Sequence, residues 1–121
     1  MTSQEFNDFC TSLPATTHVV QWGGADVWKV GAKVFAIGGW NAGRDYAVTF
    51  KVTELMYEVL NDHEDCRPAP YLASRGMKWI QVTGPGGPDG AELMDLITRS
   101  YDMIAAKLPK RIRAELGLAA S

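Results

Sequence analysis

The sequence predicts an α+β fold: a two-layer, antiparallel five-stranded sheet with helices packed on one face, in the order α-β-β-β-β-α-β-α-α. Three observations lead there. Four runs rich in β-branched and aromatic residues follow one another between residues 17 and 52, joined by connections too short for parallel crossovers. Helical spacing of apolar residues flanks that block on both sides. Each helical pattern has a single apolar face, which implies one helical layer on one face of the sheet. The opposite face, carrying Lys51 and its neighbours, is expected to be open and available for binding.

The elements follow in order. Thr2-x-x-Glu5 reads as a capping box, and Phe6, Phe9, Cys10 and Leu13 share one helical face before Pro14 ends it. Strands are expected at Thr17 to Trp22, Asp26 to Val30, Lys33 to Ile37 and Asp45 to Val52. Gly23-Gly24 makes the first turn, Gly31-Ala32 a two-residue hairpin turn, and Gly38 to Gly43 a loop. In the fourth strand Tyr46, Val48 and Phe50 face one way and Ala47, Thr49 and Lys51 the other. Thr53 caps a second helix whose expected buried stripe is Leu55, Met56, Val59 and Leu60. This helix frays into Asn61 to Asp65.

A stiff connector follows, Cys66 to Met77, in which Pro68 and Pro70 force extended backbone. It leads into a fifth strand, Lys78 to Val82. The Gly84 to Pro88 loop separates that strand from the strongest helix, where Asp89 and Glu92 suggest a cap and Leu93, Ile97, Tyr101, Ile104 and Leu108 step along one face. Pro109 to Leu116 reads as a last helix, stopped by Gly117.

A chain of 121 residues with 46 % apolar and 21 % charged residues suits one domain, residues 1–121, with its own core. The net charge of −2 is a poor footprint for nucleic acid taken whole. The charge is divided, however: residues 1–65 hold 4 Lys/Arg against 9 Asp/Glu, and residues 66–121 hold 8 against 5. Solubility is the favoured reading of that split, and a basic face on the second half the other. No signal-peptide pattern opens the chain and no apolar run approaches a membrane span, so a cytoplasmic place with free Cys10 and Cys66 and no membrane partner is expected.

Strong chemical motifs are absent. His63-x-x-Cys66 with its neighbouring acids has metal-ligand residue types but lacks converging ligands, so a solvated helix end is the reading and no metal or cofactor is expected. The Gly84 to Gly90 loop precedes a helix, but Asp89 would occupy the donors that could hold a phosphate. Trp40 at a glycine-rich tip could stack on a ligand ring, though folding back over the sheet is favoured. No nucleophile with a base and orienter can be assembled, so no enzyme activity is expected.

Four segments together resemble the MmcQ/YjbR family: Val30 to Ala36, Val48 to Lys51, Pro68 to Leu72 with Arg75 to Val82, and Ser100-Tyr101-Asp102 leading to Ala106 to Lys110. Tyr71 stands where many members have a histidine. The resemblance implies a fold like that of frataxin and type III secretion chaperones, and a DNA-binding role in a double-wing arrangement. On that reading Lys51, Arg67, Arg75 and Lys78 contact phosphates with Tyr71 and Trp79 beside them, and Lys107, Lys110, Arg111 and Arg113 extend the patch. The alternative is a protein- or small-ligand-binding domain or a homodimer, for which the aromatics Trp28, Trp40 and Trp79 argue. The bland reading of the cations is pairing of Lys51 and Arg67 with Asp62, Glu64 and Asp65.

Overall fold

The computed structural model describes residues 1–40, 45–70, 72 and 75–118. Among these, four helices and six strands appear: α1 (Ser3–Ser12), β1 (Thr16–Gln21), β2 (Ala25–Val30), β3 (Lys33–Gly38), β4 (Val48–Lys51), α2 (Glu54–Leu60), β5 (Cys66–Pro68), β6 (Trp79–Val82), α3 (Gly90–Ala106) and α4 (Lys110–Glu115). The strands form one antiparallel sheet in the order β1-β2-β3-β4-β6-β5. The architecture is the expected α+β one, with six strands in place of five. The added strand is β5, where the connector lies along β6 with Arg67 opposite Gln81. A proline at its end is tolerated because β5 is an edge and needs no further donor.

Alternation along the strands sorts the side chains. Trp28, Val30, Phe35, Val48, Phe50, Ile80 and Val82 face the helices and join Phe6, Cys10, Leu93, Ile97 and Tyr101 in the main core. Thr2 and Glu5 exchange both bonds of the expected capping box on α1. Asp89 does not cap α3; its carboxylate instead takes the terminal ammonium at 3.2 Å. On α2, Leu55 is 76 % and Val59 53 % exposed, against expectation. The inward positions belong to Met56, Tyr57 and Leu60, and the Tyr57 ring meets the Lys78 ammonium 4.5 Å from its centroid.

The joint between β3 and β4 shapes everything around it. Trp28 faces Ala36 and Lys29 faces Val34, so Phe35 is an extra residue on β3, a bulge. It leaves Phe35 and Ala36 both in the main core, and Val34 and Ile37 both against the other face. β3 and β4 pair only from Ala36–Phe50 to Gly38–Val48, then part. Ser100 of α3, fully buried, fills the gap: its hydroxyl donates to the Phe35 carbonyl at 2.7 Å and accepts the Lys51 N–H at 2.9 Å. Beside it Tyr101 meets the Phe35 ring edge-on at 5.3 Å and donates to the Pro14 carbonyl at 2.5 Å. The end of α3 reaches the β2–β3 turn, where Leu108 occupies the space a Cβ on Gly31 would need, 2.6 Å from its Cδ1.

The face away from the main core is not open, as it was expected to be. Ala25, Val27 and Ile37 are buried there beneath Val34 and Trp40.

Removing the Ser100 hydroxyl strands a buried N–H and a buried carbonyl together. Ser100→Ala should cost about 1–3 kcal/mol in urea unfolding; an unchanged midpoint would show that the hydroxyl is dispensable.

Candidate functional site

A row of register partners crosses the far face: Val19, Val27, Ile37, Thr49, Gln81 and Arg67. Gln81 is fully buried and organises the row. Its Oε1 accepts from Arg67 Nε at 2.8 Å and from a terminal guanidinium nitrogen at 2.6 Å. Its Nε2 donates to Thr49 Oγ1 and to the Trp40 carbonyl, each at 3.0 Å. Arg67 thus fixes which way the amide points, and the amide ties the Trp40 segment over the sheet.

Next to this row lies a cavity of about 450 Å³. Val34, Ile37 and Trp79 line it from the sheet, Ile104 from the end of α3, Leu108 and Pro109 from the turn between α3 and α4, Leu72 and Met77 from the connector, and Trp22 and Trp40 from the loops. The two last rings stand 5.5 Å apart at 39°. Trp22 is half-exposed and sits at φ 54°, a left-handed conformation that a bulky side chain adopts only at a cost of about 1–3 kcal/mol. Such strain is held where the surroundings require it, and here it places an indole at the pocket mouth. Trp79 is 4 % exposed, and its indole N–H is buried without an acceptor among the described residues. Lys33 and Lys107 supply the charge, and no carboxylate lines the cavity among the described residues.

Of the six residues expected to meet DNA, the five described ones do not share one face of the sheet. Lys51 pairs in register with Trp79, shares the far face and lies beside Arg99 and Met103 of α3. Burial, and then Lys107 nearby, lower its pKa. Arg67 is on the far face but committed to Gln81. Arg75 is exposed on the connector. Lys78 points to the helix-covered side, over Tyr57, and Trp79 is too buried to stack on a base. Tyr71 lies outside the described residues. Nor do Lys51 and Arg67 pair with the acidic cluster: among the described residues no carboxylate lies within ion-pairing distance of Lys51, Arg67, Arg75 or Lys78. Asp65 instead clamps the glycine loop, accepting the Gly86 N–H at 2.7 Å on its carboxylate. Trp40 folds back towards the sheet, as favoured, and its ring joins the far-face cluster.

A second polar cluster went unread in the sequence. Asp26 accepts from the Tyr46 hydroxyl at 2.5 Å and meets His18 Nε2 at 2.9 Å, with Trp28 Nε1 donating to Asn7 beside it at 2.9 Å. Gly38 makes room for the Tyr46 hydroxyl, which a Cβ would overlap. Burial pushes the Asp26 carboxyl up, but hydrogen bonds from Tyr46, His18 and Asn7 outweigh it and hold the pKa below normal. Burial raises the Tyr46 phenol, with Asp26 adding to it. A phenol so hard to ionise is a clamp, not a base. The thiols are equally unreactive: burial raises Cys10 strongly, and burial with Asp65 and Glu92 pushes Cys66 up to about 11. Among the described residues no three His, Cys, Asp or Glu side chains gather as a metal site, and no helix is long and apolar enough to cross a membrane.

The YjbR family model matches residues 11–103 of the chain. Two solved structures share the fold. A Deinococcus radiodurans protein carrying the DUF419 domain superposes with TM-score 0.83 at 24 % identity, covering 99 % of this chain and 91 % of that one. A Pseudomonas syringae protein gives TM-score 0.65 at 22 % identity, covering 86 % and 99 %. No curated protein matches.

Because the folded-state pKa of Asp26 is depressed, its stabilisation is complete above the unfolded value of about 4 and is lost as pH falls through the lower folded value. Asp26→Asn should therefore destabilise the protein at neutral pH, and the gap from the parent should close on acidification in unfolding curves. A gap constant with pH would assign the loss to packing alone.

Proposed function

The chain belongs to the YjbR family, and we propose that it is a small-ligand-binding domain whose site is the aromatic pocket on the far face of the sheet. One observation carries this reading: an apolar cavity of about 450 Å³ sits within the span of typical ligand sites, about 300–1,000 Å³, with a few charged groups at its margin. The Trp22 backbone at φ 54° and the Trp79 N–H, buried without an acceptor among the described residues, are consistent with it. The reading assigns binding and no reaction, because the pocket walls bring no nucleophile to a base among the described residues. A cytoplasmic place belongs to the same proposal, consistent with two free thiols.

A second reading, duplex DNA held through its phosphates, is favoured by the cations that have no carboxylate partner among the described residues and are not committed to Gln81: Lys51 and Arg75. It does not use Lys78 or Trp79, which face elsewhere or are buried.

Filling the cavity separates the two. Ile104 is half-buried on the pocket wall. Ile104→Trp should abolish binding of an apolar fluorescent probe while leaving the unfolding midpoint within about 1 kcal/mol of the parent. Probe binding that survives the substitution places the probe elsewhere. Under the DNA reading, Ile104→Trp is silent, and duplex affinity falls with salt on a log–log slope of about −2 for two phosphate contacts; affinity flat against salt removes that reading.

A further inference from the structure

The pocket reading leaves the ligand's chemistry open, but the charges and rings around the cavity narrow it. We infer that the pocket takes a small aromatic acid, its flat body against the tryptophan walls and its carboxylate towards the rim lysines Lys33 and Lys107; this rests on the pocket reading above.

The charge argument comes first. Lys33 enters from the start of β3 and Lys107 from the end of α3, both exposed at the cavity margin. Neither has an ion-pair partner among the described residues, and no acidic side chain lines the cavity there. Lys51 stands near enough to Lys107 for the two like charges to disfavour each other. Two ammonium groups at the margin of one apolar space, with a third on Lys51 near Lys107 and no carboxylate opposite them among the described residues, are the electrostatic complement of one anion.

The ring argument is independent. Trp22 and Trp40, 5.5 Å apart and tilted by 39°, present indole faces and edges to the cavity, and Trp79 lies in its floor. Aromatic walls favour a planar body through offset or edge-on contact, worth about 0.5–1.5 kcal/mol per pair beyond burial. A nucleobase or a peptide segment fits less well. Its ring-edge or amide groups would lose water against walls built mostly from aliphatic and indole carbon, at about 1–3 kcal/mol for each unpaired group. An aromatic acid concentrates its polarity at one end, which is how the pocket distributes its own.

The test uses the full chain, with sodium naphthoate and its neutral counterpart naphthamide titrated by calorimetry. Naphthoate is expected to bind about tenfold or more tightly than naphthamide. Lys33→Met and Lys107→Met, which keep the apolar stem, should each weaken naphthoate about fivefold and leave naphthamide unchanged. Lys110→Met, an exposed lysine on α4 that does not line the cavity, should change neither. Equal binding of the acid and the amide, or an effect of Lys110→Met as large as those of the rim lysines, overturns the anion assignment while the pocket reading stands. Binding of neither compound overturns both. Naphthoate binding that persists in Ile104→Trp also overturns the inference, since the acid then binds outside this cavity.

Discussion

The Ser100 hydroxyl, held between the Phe35 carbonyl and the Lys51 N–H, is the contact on which the remaining architecture depends. A serine buried in the middle of a helix contributes little to that helix. Here it stands in for a ladder bond at the point where β3 and β4 part, beside the Phe35 bulge. Two consequences follow from one joint. On the core side, Phe35 and Ala36 both turn towards the helices. On the far side, Val34 and Ile37 both line the cavity, and the end of α3 comes round the parted strands to complete it with Ile104 and Leu108.

The cations divide by the same geometry. Arg67 spends its guanidinium on a buried amide and so holds the Trp40 segment in place. Lys78, one residue before the far-facing Trp79, falls on the opposite side and settles on Tyr57. What remains for a ligand at the cavity is a pair the linear chain keeps far apart, Lys33 and Lys107, with Lys51 near the second of them. The acids stay away: Asp65 clamps the glycine loop and Asp26 anchors Tyr46 and His18.

Much of the layout could be read from residue patterns, because alternation in β4 and helical spacing in α3 are local signals. The capping box on α1, the Gly31-Ala32 turn and the faces of Val48, Thr49 and Phe50 all appear where those signals put them. The pocket was hidden for physical reasons. Val34-Phe35-Ala36-Ile37 is a continuous apolar run, so a bulge within it leaves no gap in the hydrophobic pattern. Trp22 takes a conformation that its residue type disfavours, and only the assembled turn enforces it. Gln81 and Arg67 are fourteen positions apart, and their pairing exists only once β5 lies against β6. On α2 the stripe is turned towards Tyr57, which meets the Lys78 ammonium, a tertiary contact that no helical periodicity encodes.

The tryptophans provide the most direct check on this arrangement. Trp79 and Trp40 belong to the far-face pocket, whereas Trp28 lies on the helix side with its N–H on Asn7. In a naphthoate titration followed by NMR, the account predicts that the Trp79 and Trp40 indole resonances and the Lys51 amide shift together while the Trp28 indole stays still. Movement confined to Trp28, with the far-face signals unchanged, would contradict it.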